Sequence, residues 1–261
     1  MEQGKRNTAG AGGDGGAQDS GEERLPFEIR LAQTDEELRK AVAIRHSAYA
    51  RHVPEVASRL ATPEAYDFQD DSAVLVALSK LDGAPLGTMR IQTNRSTPLA
   101  LEEAVALPDW LSGRRMAQAS RLGVGLGSIG RVVKTSLFKA YYQYCVSAEV
   151  DWMVIAARAP LDRQYQALLF EDLDPDGRFI PLRHAGNIPH RLMALETAAV
   201  EPKWRAAGHP LYKYFFRTRH PDIDLSVRAR PARGTTRTGA PGPTEHDSAA
   251  GTPTVPGPHP R

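Results

Sequence analysis

Three arginines stand on elements that otherwise point to a core. Arg45 falls on the helical stripe Leu38, Val42, Arg45, Tyr49; Arg90 lies in the strand pattern Leu86–Thr93; Arg121 lies in the strand pattern Met116–Val124. Carboxylates able to meet them, Asp67, Asp70 and Asp71, precede the apolar run that starts at Ala73. An unpaired buried charge is costly, so these Arg and Asp are expected to pair. Two roles fit such a cluster. It can be an ion-pair anchor fixing the first helix to the sheet, or a polar wall that recognises a carboxylate or amine, since a guanidinium grips a carboxylate bidentately. Residue types and spacing leave both open.

The glycines from Gly123 to Gly130 suggest a second chemistry. Gly125-Leu126-Gly127-Ser128-Ile129-Gly130 has GxGxxG spacing, follows a strand pattern and opens a helix, the setting of a dinucleotide fingerprint. Three features oppose that reading. The acid expected about 20 residues on should close the next strand, whereas Glu149 and Asp151 begin it and Arg158 follows its end. The preceding strands are joined by a hairpin rather than a crossover. The strand before the glycines carries Gln118, Ser120 and Arg121, polar for a buried parallel strand. What survives is a turn whose backbone N–H groups at Gly125, Gly127 and Gly130 can approach an anion, or a flexible glycine turn and nothing more. Arg131 and Lys134 share one exposed face of the following helix; with Arg114, Arg115 and Lys139 they form the basic concentration of the folded region. Cys145 reads as a small core residue. The eight His, at positions 46, 52, 184, 190, 209, 220, 246 and 259, show neither HxH nor HExxH spacing, and no metal site is expected.

The elements that must position these residues can be read from turns and periodicity. Phe27–Leu31 is a strand, and Thr34-Asp35-Glu36-Glu37 has the form of a capping box at the start of the first helix. Ala73–Ser79 and Leu86–Thr93 flank the turn Asp82-Gly83-Ala84-Pro85 as a hairpin. Leu99–Leu111, interrupted by Pro108, is a short helix or lid, and Met116–Val124 a fourth strand. A long helix runs from about Ile129 to Ala148 with Val133, Leu137, Tyr141 and Cys145 on one face. Val150–Ala157 is a buried strand, Asp162–Leu173 a helix stopped by Asp174-Pro175-Asp176-Gly177, and Arg178–His184 and Arg191–Thr197 are two further strands. Hairpins and crossovers alternate, so the fold class is α/β with a mixed central sheet.

Lys and Arg number 33 against 31 Asp and Glu, so charge alone makes no case for a nucleic-acid partner. A single cysteine excludes a disulfide framework. No apolar run approaches the roughly 18 residues of a membrane helix, and the Gly-rich start lacks the form of a secretory signal; a cytoplasmic protein is expected. Residues 1–24, rich in Gly, and 228–261, rich in Pro, Gly and Arg, cannot bury enough apolar surface to offset their ordering entropy and are expected to be disordered. Residues 25–227 are enough for one domain.

The element order, with a glycine loop before the long helix, resembles the GCN5-related N-acyltransferase superfamily. More narrowly, residues 27–220 resemble the N-acyl amino acid synthases and their relatives, the acyl-homoserine-lactone synthases. Arg45-His46-Ser47-Ala48-Tyr49 resembles their Arg-x-x-x-Phe/Tyr first helix, and Asp67-Phe68-Gln69-Asp70-Asp71 their paired-aspartate segment. Gly87-Thr88-Met89-Arg90 resembles the Gly-x-x-Arg of the third strand, Ala119-Ser120-Arg121-Leu122 the Ser-Arg core of the fourth, and Tyr165-Gln166-Ala167-Leu168-Leu169-Phe170 the Tyr-x-x-x-Gly-Phe helix end. There are departures: Gln118 stands where the family usually has Glu, Leu169 stands where Gly precedes Phe, and the glycine loop is out of register with the superfamily pattern.

The resemblance implies that an acyl thioester's pantetheine slots between two splayed central strands, with its phosphate on the loop and helix that follow. It implies transfer of a fatty acyl group from acyl-carrier-protein phosphopantetheine, or from acyl-CoA, to the amine of an amino acid or another acceptor, with no tightly bound cofactor. Such a transfer needs a neutral amine, donors for the developing oxyanion and a departing thiol. On this reading Arg45, Asp67, Asp70 and Arg90 shape the acceptor side. Gln118, Ser120 and Arg121 belong to the reacting centre, where Ser120 is either a donor to the oxyanion or pantetheine or a satisfied strand hydroxyl. Gly125, Gly127, Gly130, Arg131 and Lys134 would meet the donor's phosphates or an acidic carrier protein. Leu99–Leu111, Trp152 and Tyr141-Tyr142-Gln143-Tyr144 line an acyl channel or are plain core. Alternatives are a small-acyl-CoA N-acetyltransferase and a catalytically silent thioester-binding relative, which Gln118 permits.

Overall fold

The computed structural model describes residues 21–227. The chain enters through β1 (Gly21–Glu22) and β2 (Phe27–Leu31), in which the alternate residues Phe27 and Ile29 are buried. The capping box starts α1 (Asp35–Ala50): Thr34 Oγ1 accepts from the Glu37 N–H at 3.2 Å, and Glu37 Oε2 accepts from the Thr34 and Gln33 N–H groups at 3.2 and 2.9 Å. One turn of helix, α2 (Pro54–Ala57), leads to a 3-10 turn at Ala65–Phe68. Then come the hairpin strands β3 (Ser72–Ser79) and β4 (Pro85–Thr93), the short α3 (Ala100–Ala104), β5 (Met116–Val124) and the long α4 (Gly127–Ser147). The chain continues through β6 (Trp152–Ala157), α5 (Asp162–Ala167), β7 (Glu171–Asp172), β8 (Phe179–Leu182) and β9 (Ile188–Glu196). It closes with α6 (Val200–Ala206), α7 (Tyr212–Phe216), β10 (Thr218–Arg219) and β11 (Ile223–Asp224).

The main sheet has the order β11-β2-β3-β4-β5-β6-β9-β7, with β8 paired to β9. All its pairings are antiparallel except β11 with β2 and β5 with β6. Period-two alternation divides its faces. Ile29, Leu75, Met89, Ala117, Met153 and Met193 point to α4, which answers with Val133, Leu137, Tyr141 and Cys145, all fully buried. On the other face Val74, Val76 and Leu78 meet Ala41 of α1, and farther along Val154 and Leu192 meet Leu99 and Leu101 beside α3. Between those two apolar patches the same face carries Arg90, Gln92, Gln118 and Ser120, a polar interval in an otherwise apolar layer.

Several expectations change. The helix placed over Asp162–Leu173 stops at Ala167, because Leu169 turns left-handed at φ 65°. Its N–H then reaches Gln166 O at 2.9 Å and the Phe170 N–H reaches Tyr165 O at 3.1 Å, a Schellman closure. The strand placed at Arg191–Thr197 starts three residues earlier, where Ile188 pairs with Leu182. Residues 21–24, assigned to a disordered tail, include β1, which pairs with β10 and ties Glu22 to Arg219. The rest of 1–24, and 228–261, lie outside the described residues. No described helix is long and apolar enough to cross a membrane.

Candidate active site

The parallel ladder between β5 and β6 runs only from Met116↔Trp152 to Ala119↔Ile155. At the same level β5 slips against β4: the register jumps between Thr88↔Gly123 and Arg90↔Ser120, so Arg121 and Leu122 face Met89 alone. Arg121 takes a left-handed φ of 55°, uncommon for a non-glycine residue and typical of a bulge that re-aims a side chain. The two strands part beyond this bulge, and a cleft opens between them. Its inner part is lined by Tyr49, Ser120, Leu122, Ala156, Leu161 and His190. Its outer part continues past Arg51, Gly123, Lys134, Arg158 and Gln164. Ser120 Oγ is buried and makes no hydrogen bond.

Beside the inner cleft the arginines meet their carboxylates. Arg45, with a fully buried side chain, grips Asp67 through Nη1–Oδ2 at 2.8 Å and Nη2–Oδ1 at 2.9 Å. Arg90 Nη1 bridges Glu64 Oε2 at 3.0 Å and Asp67 Oδ1 at 3.3 Å, and its guanidinium lies 5.2 Å from the Tyr66 ring centroid. Arg121 holds Glu64 bidentately, Nε–Oε2 and Nη2–Oε1 both at 2.7 Å. Burial pushes Glu64 and Asp67 up, but the Arg121 and Arg45 hydrogen bonds and charges outweigh it and hold both carboxyls below their ordinary range. Burial works against the Arg121 cation too, and Glu64 with Tyr49 overcomes it and holds its pKa above the ordinary value.

Asp70 is exposed and makes none of these ion pairs, which go to Glu64 and Asp67. Asp71 is buried but braces the loop after β4, accepting from the Ser96 and Thr97 N–H groups at 2.7 and 3.1 Å. Glu64 supplies the second carboxylate. The signal for it was the pair Glu64-x-x-Asp67 after Pro63, a capping arrangement in which Asp67 Oδ2 accepts the Glu64 N–H at 2.8 Å. Gln118, 3% exposed, offers Oε1 to the Leu101 N–H at 3.3 Å and so braces α3.

At the outer end the glycines form a tight turn into α4. A Cβ on Gly130 would stand 2.0 Å from Gly125 O, and Gly127 has φ +82°. No side chain caps the first turn of α4, so its N–H groups suit an anion. Lys134 lines the cleft and donates to Gln164 Oε1 at 2.6 Å; burial first, then the Arg131 charge, pulls its pKa down. Arg131 is exposed beside it. The wider basic concentration disperses. Arg115 sits at the opposite end of β5, a nine-residue strand that spans about 30 Å, and pairs there with Glu149 and Asp151. Lys139 is buried on α4 itself, where Nζ bonds Tyr214 O at 2.8 Å, Thr218 O at 2.6 Å and His220 Nδ1 at 2.8 Å, anchoring the C-terminal elements.

The acyl-channel residues are also relocated. Leu99, Leu101 and Leu111 are fully buried in a cluster with Val154 and Leu182, and Tyr141 is sealed beneath β5, its hydroxyl donating to Ala117 O at 2.6 Å. The apolar walls of the cleft come instead from Val53, Val56, Ala156 and Ile188. His190 and Arg158 carried no sequence signal, because only the folding of β9 beside β6 brings them to the parted strands.

The family model of the N-acyl amino acid synthase FeeM matches residues 40–196, more than half of the chain. No curated protein sequence matches. Among solved structures, FeeM, an N-acyl amino acid synthase from uncultured soil microbes, superposes with a TM-score of 0.56 at 17% identity, covering 72% of this chain and 96% of that one. A CoA-dependent acyl-homoserine lactone synthase, BjaI, solved with SAM and isopentyl-CoA, superposes with a TM-score of 0.50 at 13% identity, covering 76% and 95%. At these identities the likeness is one of fold, a mixed sheet with flanking helices.

Proposed function

We propose that this chain, which belongs to the N-acyl amino acid synthase FeeM family and is an N-acyltransferase, moves a fatty acyl group from a pantetheine thioester to the amine of an amino acid. The observation that carries this reading is the parting of β5 and β6 beside the bulge at Arg121. Backbone groups that the ladder leaves unpaired can take the amides of a pantetheine arm as a short added strand. The uncapped first turn of α4, with Lys134 on the cleft and Arg131 beside it, supplies positive charge for the donor's phosphate. Val53, Val56 and Ile188 offer apolar surface to an acyl chain.

The thioester carbonyl then lies at the level of Ser120, whose unpartnered Oγ can donate to the oxygen as it becomes an oxyanion. The acceptor approaches along the polar interval of the sheet. The Arg45–Asp67 pair is too deeply buried to touch it; Arg121, on the cleft wall and held by Glu64, shapes the acceptor side and holds the bulge. Arg158, whose hydrogen bond goes to Ala159 O at 3.2 Å, keeps donor capacity for an amino acid's carboxylate. As the amine lone pair forms the C–N bond, electrons move to oxygen; when they return, the C–S bond breaks and the thiol leaves. The reaction is proposed for the cytoplasm, with an acyl carrier protein as donor.

The full-length protein, given hexadecanoyl-carrier protein or hexadecanoyl-CoA with each amino acid in turn, is expected to form an N-acyl amino acid detectable by mass spectrometry. Ser120→Ala should lower kcat by about 10²-fold. Faster turnover with acetyl-CoA than with either long-chain donor would make it an acetyltransferase. Thioester binding without any amide would make it a silent relative.

A further inference from the structure

A neutral amine attacking a thioester must lose a proton as the amide forms, and the position usually expected to receive it is occupied by an amide, Gln118, which binds no proton near neutral pH and is committed to Leu101. Another group in the inner cleft suits the task. His190 sits on β9 on the same face of the sheet as Ser120 and lines the cleft with it. Its Nδ1 lies 2.7 Å from Ile188 O. A carbonyl oxygen only accepts, so Nδ1 carries the hydrogen, and in the neutral ring the lone pair is on Nε2.

Few titratable groups face this imidazole. They are Tyr49 of α1, Arg121 of β5, Arg158 after β6 and Tyr165 of α5; among the described residues lining the inner cleft there is no carboxylate. Burial first, then the Arg158 and Arg121 charges, lowers the His190 pKa below its ordinary 6.5, and the Ile188 carbonyl opposes this only in part. The outer cleft holds a second histidine, His52, but it is exposed and stands away from Ser120.

We infer that His190 is the general base of the acyl transfer, taking the acceptor amine's proton on Nε2 as the C–N bond forms. The inference rests on the function proposed above. As the C–S bond breaks, the imidazolium returns that proton to the leaving thiolate, so the sum is amine plus thioester to amide plus thiol, with no co-reactant. Arg121 and Arg158 make the imidazolium short-lived and favour that return.

His190→Asn separates the base from its structural contact, because the Asn amide nitrogen can replace Nδ1 as donor to Ile188 O while nothing replaces Nε2. With hexadecanoyl-CoA and the amino acid that wild type uses fastest, the variant is expected to keep its fold and to bind hexadecanoyl-CoA within twofold of wild type. Its kcat/KM for the acceptor should fall by about 10²–10³-fold. The pH profile gives a readout that a purely structural role would not move. Once pH falls below the lowered imidazole pKa, wild-type kcat/KM for total amine should fall with a log–log slope approaching two, one proton each for the amine and the imidazole; the variant should keep a slope of one. Added imidazole should restore part of the activity to His190→Ala. An active wild type with an equally active His190→Asn, or unchanged slopes, overturns the assignment and leaves the acyltransferase intact. A wild type that makes no amide from any acceptor overturns both.

Discussion

A guanidinium with no exposed surface is tolerable at Arg45 because the fully buried carboxylate of Asp67 meets both of its Nη groups. Removing one partner from such a pair strands the other charge. Asp67→Ala is therefore expected to cost about 3–5 kcal/mol in denaturant unfolding, and Arg45→Met with Asp67→Leu to recover most of it. A loss under about 1 kcal/mol in the single variant would mean the pair is not the anchor described here. Cys145 gives the opposite case, a reactive group kept out of the chemistry. It is fully buried, and burial pushes its thiol far up. An aromatic disulfide reagent should label it only after unfolding, and Cys145→Ala should retain acyl transfer; fast labelling of the native protein would contradict the packing. The pairing of Arg45 and Arg90 with Asp67 was legible from charges placed on core-facing stripes. Glu64 was readable only as the start of a Glu-x-x-Asp cap, because nothing local shows that the fold carries it to Arg121.

At the scale of elements, the glycines are packing requirements. A Cβ on Gly87 would lie 2.5 Å from Val133 Cγ1, so the Gly-x-x-Arg signature combines two needs of one strand: room for α4 on one face and Arg90 on the other. A Cβ on Gly130 would collide with the backbone of Gly125 and open the turn into α4. Gly130→Ala should lower stability by about 1–3 kcal/mol and raise the Kd for hexadecanoyl-CoA roughly tenfold, while Gly113→Ala, where a Cβ meets nothing within 4 Å, should leave donor affinity unchanged. Equal affinity in Gly130→Ala and wild type would dissociate the turn from donor binding. Leu169 occupies the left-handed closing position of α5 that glycine fills more easily, a local cost the chain carries where the family pattern has Gly.

Across the molecule, folding shifts titrations at both ends of the pH range. Glu64 and Asp67 hold folded pKa values below their ordinary 4.5 and 3.8. Their contribution is present in full above the ordinary values and drains as pH falls through the lowered ones, so the unfolding midpoint should be flat down to about pH 5 and drop below it. Asp67→Leu in the Arg45→Met background should flatten that drop. Lys139 has the opposite effect. Burial pulls its folded pKa to about 8 from 10.5, so above pH 8 the folded chain sheds a proton that the unfolded chain still holds, and stability should rise until the Cys145 thiol, ordinarily at 9.0 and raised by burial, begins to ionise in the unfolded chain. Beyond that the phenols of Tyr141 and Tyr165, held up by burial, reverse the trend. A midpoint that shows no rise between pH 8 and 9 would mean that Lys139 keeps its charge at its anchor, against the lowered pKa.

Local rules sufficed wherever a residue's fate depends on its neighbours in the chain: the capping box of α1, the alternation of β2 to β5 and the single apolar stripe of α4 are short-range consequences of periodicity and hydrogen-bond satisfaction. With them came the mixed α/β class and the resemblance to the acyltransferases. Tertiary structure decided what depends on long-range closure. Whether Asp70 or Glu64 meets an arginine follows from how the segment before β3 folds over Arg121, where β5 leaves β6 goes with the bulge at Arg121, and His190 and Arg158 come to that gap because β9 returns antiparallel beside β6. No periodicity encodes a pairing between strands some 30 residues apart, because the energy that fixes it comes from packing against the rest of the sheet and is absent until the sheet has closed.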